Sequence, residues 1–227
     1  MPTIFLIRHG ESQSNVGLPT LSPEIVELTD KGWKQAKAIA QFLQEAQLIP
    51  DLIVTSSYLR TKQTAAPTTL AFSSIPEEQW SVQEFTYLSM WHEENSTTED
   101  RRETVKAYWD LSDPSYVDNP KPGSPIPESF KQFIARVREV RERLEKTELE
   151  TIAVFSHEQF ISALSWLSQQ DLVDLSQVAM RDFRAFLKAN PVPNGAIIQA
   201  LGHIQCACLL TASLKVSYLF ITIDGRC

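Results

Sequence analysis

The chain has 227 residues, of which 43% are hydrophobic and 22% are charged, and its formal net charge is −7 at pH 7. This length can bury a full hydrophobic core, and we expect a single domain over residues 1–227. The acidic balance argues against a nucleic-acid or anionic-membrane partner, since both would be met by a broad basic face. An anionic ligand would therefore need a locally basic pocket.

The two ends of the sequence bear on localisation. The N-terminus passes from Met1 directly to a short apolar run at residues 4–7, without the basic start and cleavage site of a signal peptide. The apolar stretch at residues 206–223 is interrupted by Lys215 and by hydroxyl residues, which favours a strand or hairpin over a membrane span. We therefore predict a cytoplasmic protein.

Short apolar runs alternate with helical patterns along the chain. Runs with the composition of strands buried on both faces lie at residues 4–7, 52–54, 152–155 and 196–201. Thr29 can cap a first helix, which Pro50 limits. A second helical stripe, from Phe130 to Leu144, is predicted to face the core. This alternation predicts an α/β fold of three layers, α/β/α, with a largely parallel central sheet.

The alternation is lost over residues 85–127, apart from a possible helix at residues 99–109. Five prolines between Pro114 and Pro127 indicate a stiff loop. Ordered loops of this length are more often lids or binding loops than simple connectors. We therefore predict a lid-like insertion that covers the C-terminal edge of the sheet and selects the substrate.

Charged side chains follow three of the predicted strands at the point where each strand ends. Arg8 and His9 follow the first, Arg60 begins the helix after the second, and His157 follows the third. Ligands of parallel α/β sheets bind at this edge, so these residues are expected to converge. Two histidines and two arginines would repel one another unless a multiply charged anion lay between them. Phosphate is such an anion, and arginine offers it a planar fork of donors.

Several separated motifs resemble those of the histidine phosphatase superfamily, in the branch that includes the cofactor-dependent phosphoglycerate mutases. The matching residues are Arg8-His9-Gly10-Glu11-Ser12 with Asn15; Leu28-Thr29 with Gly32, Gln35 and Ala36; Ser57 and Leu59-Arg60-Thr61 with Gln63-Thr64-Ala65; Glu84; and Ser156-His157. Their order and approximate spacing agree with the family as far as about Leu201.

This resemblance implies a phosphoglycerate mutase-like fold in which His9 is the nucleophile and Glu84 is the proton donor and acceptor. It also implies a phosphate pocket, formed by Arg8, Asn15, Arg60 and His157. Arginines and a cationic His157 could stabilise the charge of phosphoryl transfer without a metal ion.

Two positions depart from the family pattern. Glu84 is followed by Phe85-Thr86-Tyr87 rather than by the Arg-His-Tyr of phosphoglycerate mutases, which disfavours mutase activity. Glu158 stands where the family usually has a glycine. The helix dipole stabilises a carboxylate at the first turn of a helix, so we expect Glu158 to point outward. The alternative is that it faces the pocket and favours a substrate that carries a cation.

The sequence has no His-x-His, no His-Glu-x-x-His, no carboxylate cluster with metal-ligand spacing and no nucleotide-binding glycine pattern. We therefore predict a phosphomonoesterase of the histidine acid phosphatase type that needs no metal and no cofactor. Its expected substrate is a phosphorylated small molecule or a phosphopeptide. Two alternatives stay open, a phosphoglycerate mutase-like phosphotransferase and a pseudoenzyme that binds a phosphorylated ligand. The oligomeric state does not follow from the sequence.

Overall fold

The structure, a computed structural model, describes residues 2–90, 95–169, 174–201 and 207–210. Within these residues, six strands form one sheet in the order β3-β2-β4-β1-β5-β6. The strands are β1 (Thr3–Arg8), β2 (Leu52–Thr55), β3 (Glu77–Gln79), β4 (Thr151–Ser156), β5 (Ile197–Leu201) and β6 (Ala207–Leu210). The first four run parallel to one another, whereas β5 is antiparallel to β1 and β6 is antiparallel to β5. The predicted α/β class with a largely parallel sheet is confirmed.

Six α-helices accompany the sheet in the same part of the chain. They are α1 (Asp30–Glu45), α2 (Leu59–Ala71), α3 (Arg102–Leu111), α4 (Phe130–Glu145), α5 (Glu158–Ser168) and α6 (Gln177–Ala189). The predicted cap of α1 is confirmed, because the Thr29 hydroxyl accepts a hydrogen bond from the Gly32 N–H at 3.1 Å. A reciprocal capping box between Ser129 and Gln132 begins α4.

The side chains of each buried strand alternate between two hydrophobic clusters, one on each face of the sheet. Leu6 belongs to the cluster that contains the predicted stripe of α4, together with residues of α5 and α6. Its neighbour Ile7 belongs to a smaller cluster with Ile39 of α1 and Ala65 of α2. Helices therefore cover both faces, which confirms the three-layer architecture.

The segment 85–127 is partly built into the larger cluster. Phe85 and Tyr87 pack against Tyr108 and Trp109 of α3, and the Trp109 indole N–H donates to the Tyr87 hydroxyl at 3.1 Å. The helix expected at residues 99–109 begins three residues later than predicted, at Arg102. The lid-like role of this segment stays a prediction.

Only β6 represents the strand or hairpin predicted at residues 206–223, and the rest of that stretch lies outside the described residues. Across the described ranges, no helix combines the length and apolar character that a membrane crossing requires.

Candidate active site

The C-terminal ends of β1, β2 and β4 meet at one edge of the sheet, beside a cavity of about 250 Å³. Five of the six residues proposed for the site line this cavity, namely Arg8, His9, Asn15, Arg60 and Glu84. The sixth, His157, is fully buried and lies against the His9 ring. The structure thus brings these side chains together around one small volume.

The hydrogen bonds of His9 define its tautomer. The Arg60 Nε–H donates to His9 Nε2 at 3.1 Å, and arginine has no acceptor atom, so Nε2 must carry a lone pair. His9 Nδ1 lies 2.7 Å from the Gly10 carbonyl oxygen and therefore donates its proton to it. Burial is the main cause that lowers the pKa of His9 well below its usual value, and the charges of Arg60 and Arg8 lower it further. A neutral imidazole with Nε2 free of a proton is the form that can act as a nucleophile.

Two glycines hold the turn after β1 close to the start of α1. A Cβ atom on Gly10 would lie 2.6 Å from the Gly32 carbonyl oxygen, and one on Gly32 would lie 2.1 Å from that of Glu11. The Gly10 N–H donates to Thr64 Oγ1 at 3.0 Å, and the Glu11 N–H donates to the Gln35 side chain. These contacts give a structural reason for motif residues outside the cavity, because they fix the backbone that carries His9.

Arg60 reaches the cavity from the first turn of α2 and is only 7% exposed. Its Nη1 donates to the Pro23 carbonyl oxygen at 2.6 Å, while its Nε contacts His9. Burial lowers the pKa of Arg60, and the negative charge of Glu84 opposes that shift. Arginine stays protonated despite such a shift, so a buried positive charge lies directly beside His9 Nε2.

Arg8 forms an ion pair with Glu158, with 3.0 Å between Nη1 and Oε2, and the same nitrogen donates to the Val192 carbonyl oxygen. Our expectation that Glu158 points outward was wrong, because its carboxylate lines the cavity. The helix dipole stabilises this carboxylate in either orientation, and the adjacent guanidinium decides between them. Arg8 Nε is buried and has no hydrogen-bond partner among the described residues.

His157 is placed by the polar residues that follow β2. Its Nε2 lies 2.8 Å from the Ser56 hydroxyl, and its ring centroid lies 5.1 Å from that of His9. Burial and the charge of Arg60 lower the pKa of His157 well below its usual value. His157 is therefore a neutral imidazole in this structure, in contrast to the cationic His157 that the sequence suggested. A dianionic ligand beside it would favour protonation.

Glu84 lies between β3 and the N-terminus of α5. Its Oε1 accepts hydrogen bonds from the backbone N–H groups of Gln159 at 3.1 Å and Phe85 at 3.2 Å. Desolvation raises the pKa of this carboxyl group, Arg60 and Arg8 oppose the shift, and the charge of Glu158 adds to it. A carboxyl group with a raised pKa can hold a proton for donation, as a general acid must.

Asn15 lies on the exposed turn that follows Ser12. Its Oδ1 accepts hydrogen bonds from the Ser12 N–H at 3.0 Å and from the Asn194 side chain at 3.1 Å. These contacts use the oxygen of the Asn15 amide, so a phosphate at this position would meet its NH₂ group. Within the described ranges, no group of three or more His, Cys, Asp or Glu side chains is arranged to hold a metal ion.

Sequence reasoning missed two residues of the site. Arg101, the residue before α3, lines the cavity and is only 5% exposed. Asn194 donates to the His9 carbonyl oxygen at 3.2 Å and so helps to hold the backbone of His9. Neither residue belongs to a recognisable motif or follows a predicted strand, so no local pattern indicates a role for either of them.

A three-layer α/β/α domain with paired histidines and arginines at the C-terminal edge of a parallel sheet belongs to the phosphoglycerate mutase-like class. Residues 4–186 match the histidine phosphatase superfamily (branch 1). The chain therefore belongs to the histidine phosphatase superfamily.

The sequence identity to individual relatives is low. The human protein 6-phosphofructo-2-kinase/fructose-2,6-bisphosphatase 4 is 28% identical over 205 residues, which cover 88% of this chain but only 39% of that protein. A mycobacterial glucosyl-3-phosphoglycerate phosphatase shares the fold with a TM-score of 0.65 and 21% identity, over 100% of this chain and 99% of that one. The alpha-ribazole phosphatase of Shigella flexneri has a TM-score of 0.63 and 21% identity, over 95% of this chain and 99% of that one.

Proposed function

We propose that this chain is a phosphomonoesterase that hydrolyses a phosphorylated small molecule or a phosphopeptide through a phosphohistidine on His9, without a metal ion. The observation that carries the proposal is the hydrogen-bond pattern of His9. Its Nε2 lone pair is fixed in a cavity that Arg8 and Arg60 also line. A nucleophile and two donors for phosphate oxygens thus share one small space.

In the first step, the Nε2 lone pair attacks phosphorus and the bond from phosphorus to the ester oxygen breaks. The bonding electrons leave with that oxygen, which takes a proton from the carboxyl group of Glu84. Arg60 must first release Nε2, and an incoming phosphate would draw its guanidinium toward the phosphoryl oxygens. The Gly10 carbonyl oxygen keeps the Nδ1 proton in place, so it stabilises the positive imidazole ring of the phosphohistidine.

In the second step, the Glu84 carboxylate removes a proton from a water molecule as that water attacks the phosphohistidine. The bond between phosphorus and Nε2 breaks and its electrons return to nitrogen, which restores His9 and Glu84 and yields inorganic phosphate. Charge on the transferring phosphoryl group is spread over three oxygens, so fixed arginines can provide most of the stabilisation.

The test is phosphate release from a panel of phosphorylated metabolites and phosphopeptides, combined with rapid-quench labelling of the enzyme. We expect turnover that chelators leave unchanged and a label on the protein that is stable in base and labile in acid. His9→Ala should lose both turnover and label, because it removes the nucleophile itself. Gln41→Ala on the exposed surface of α1 serves as the matched control.

Three outcomes would contradict the proposal. Labelling that survives in His9→Ala would place the nucleophile elsewhere. Activity that chelation abolishes and a divalent ion restores would mean that the reaction depends on a metal. Isomerisation of a phosphorylated acid without net phosphate release would instead indicate a mutase-like phosphotransferase.

A further inference from the structure

Arg101 carries a buried charge without a carboxylate partner in the described part of the chain. It is 5% exposed, and its hydrogen bonds to the described residues all use Nη1, which donates to the Ser96 carbonyl oxygen at 2.9 Å, the Ser96 hydroxyl at 3.2 Å and the Thr20 hydroxyl at 3.4 Å. The neighbouring Asp100 carboxylate is bound instead to the N–H and hydroxyl of Thr97. Nε and Nη2 of Arg101 are therefore available to a ligand.

The backbone fixes this guanidinium in the cavity wall. Thr20 and Ser96 form an antiparallel bridge that joins the loop after β1 to the segment before α3. Thr98 adds a second link, because its hydroxyl donates to the Ser14 carbonyl oxygen at 3.3 Å. Arg101 thus lines the same cavity as His9 but approaches it from the segment 85–127 rather than from the sheet.

Taking an arginine out of water is costly unless an anion compensates its charge. Of the other two arginines of the cavity, Arg8 pairs with Glu158, and the negative charge of Glu84 acts on Arg60. Among the described residues, Arg101 donates only to neutral oxygen atoms and forms no ion pair; burial lowers its pKa, and the charge of Asp100 opposes that shift only in part. Its place in the cavity is therefore explained best by an anionic group that arrives with the substrate.

We propose that Arg101 is a specificity-determining residue that binds a second anionic group of the substrate, a carboxylate or a second phosphate. This inference rests on the proposed function, because the first phosphate is the one that His9 attacks. The planar fork of arginine suits either anion, and binding there would hold the reacting phosphate against His9. The favoured substrate class is a small phosphomonoester with at least one further anionic group.

The test compares substrates that differ only in the second anion. For the carboxylate, the pairs are 3-phosphoglycerate with glycerol 3-phosphate and O-phosphoserine with phosphoethanolamine. For the phosphate, the pair is fructose 1,6-bisphosphate with fructose 6-phosphate. We expect the wild type to prefer the more anionic member of at least one kind of pair in kcat/KM. In Arg101→Gln this preference should fall by about tenfold to a hundredfold, the usual effect of removing a hydrogen bond to a charged group.

Arg102→Gln is the matched control, because Arg102 is adjacent, exposed and paired with Glu99 at 2.6 Å. It should keep the wild-type preference. If Arg101 only links two loops, Arg101→Gln would lower kcat/KM for both members of each pair equally, and that result would overturn the proposal. Arg101→Lys keeps the charge and should retain part of the preference, which provides a second variant if Arg101→Gln does not fold.

Calorimetric binding of the same pairs separates this inference from the proposed function. If no phosphate is released from any substrate but the wild type still binds the more anionic member more tightly than Arg101→Gln does, the hydrolysis proposal fails and the assignment of Arg101 stands. If the wild type releases phosphate but shows no preference within any pair, the hydrolysis proposal stands and the assignment of Arg101 fails. Equal binding of both members by the wild type would overturn the role of Arg101.

Discussion

Arg60 donates from Nε to His9 Nε2 at 3.1 Å, so the arginine that would bind phosphate also occupies the lone pair that would attack it. The two functions cannot be exercised by that N–H at the same time. In this structure His9 Nε2 is therefore oriented, but its lone pair is occupied by the Arg60 N–H. An incoming phosphate would uncover Nε2, because its charge attracts the guanidinium more strongly than a neutral imidazole does.

Replacement of Arg60 by lysine tests this relationship. A lysine keeps the charge but cannot contact His9, the Pro23 carbonyl oxygen and a phosphate with one rigid fork. We expect kcat/KM to fall by roughly a hundredfold, comparable to the loss of a fixed donor to a developing charge. Arg143→Lys is the control, since Arg143 pairs with Glu78 on the surface, and it should keep the wild-type rate. A near wild-type rate in Arg60→Lys would remove Arg60 from the catalytic set.

The pair of Arg8 and Glu158 makes a prediction about product inhibition. Glu158→Gln removes the negative charge that competes with phosphate for Arg8, so inorganic phosphate should inhibit about tenfold more strongly. Glu142→Gln breaks an exposed pair with Lys146 and should leave the inhibition constant unchanged. An unchanged inhibition constant in Glu158→Gln would show that the carboxylate does not affect the phosphate site.

The residues at the strand ends were predictable because their positions depend on a local rule. A parallel sheet brings the ends of its strands to one edge, and Arg8, His9 and Arg60 each follow a recognisable buried strand. Only the order of strands and helices was needed to predict that these residues lie close together. The fold class was predictable from the same alternation.

Arg101 and Glu158 were not predictable in this way. Arg101 lies in a segment without periodic pattern, and its direction depends on the bridge between Thr20 and Ser96, which are distant in sequence. The orientation of Glu158 depends on Arg8, which belongs to a strand about 150 residues earlier in the chain. Non-local contacts determine the orientation of both side chains. A single sequence does not contain a local signal for such contacts.

The turn after β1 lies so close to α1 that one added methyl group, at Gly32, should lower both stability and activity. Gly32→Ala would place a Cβ atom 2.1 Å from the Glu11 carbonyl oxygen, so the backbone that carries His9 must shift. We expect a loss of about 1–3 kcal/mol in the free energy of unfolding, as for other overpacked sites, together with a lower kcat. Chemical denaturation and steady-state kinetics measure the two effects.

Gly17→Ala is the control for this substitution. Gly17 has φ of +78° but no neighbour within 4 Å of an added Cβ atom, so it tests backbone strain without a steric clash. It should cost about 1–2 kcal/mol and leave kcat near the wild-type value. Equal losses of kcat in both variants would mean that the clash at Gly32 does not disturb the site.

The pH dependence of kcat/KM should reflect the opposite shifts of His9 and Glu84. His9 must be neutral to attack, and its lowered pKa places the acidic limit of activity below the usual histidine range. Glu84 must be protonated to assist a leaving alkoxide, and its raised pKa extends that form above the usual glutamate range. We therefore expect an acidic optimum on alkyl phosphates. A pH profile that rises steadily toward alkaline pH would contradict these two roles.

Glu84→Gln removes the proton source but keeps the shape of the side chain. On an alkyl phosphate, phosphorylation of His9 should slow by roughly a hundredfold to ten-thousandfold, the range typical of general acid catalysis. On an aryl phosphate, whose leaving group departs readily as an anion, the burst of phenol should persist. Phosphorylated enzyme should then accumulate, because the base that activates water is missing. Rapid-quench kinetics on both substrates measures these steps, and equal slowing of the two would show that Glu84 is not the general acid.

The same variant should be more stable than the wild type at neutral pH. The folded-state pKa of Glu84 is raised, so its contribution to stability is fully present below the unfolded-state pKa and is lost as the pH rises. At pH 7 the wild type therefore carries the cost of a desolvated carboxylate, which a neutral glutamine does not. Melting temperatures measured from pH 4 to pH 7 should show a gain for Glu84→Gln that grows with pH. A variant that loses both stability and alkyl phosphate turnover at pH 7 would indicate a structural role, because Glu84 would then stabilise the fold through its bonds to the Phe85 and Gln159 N–H groups.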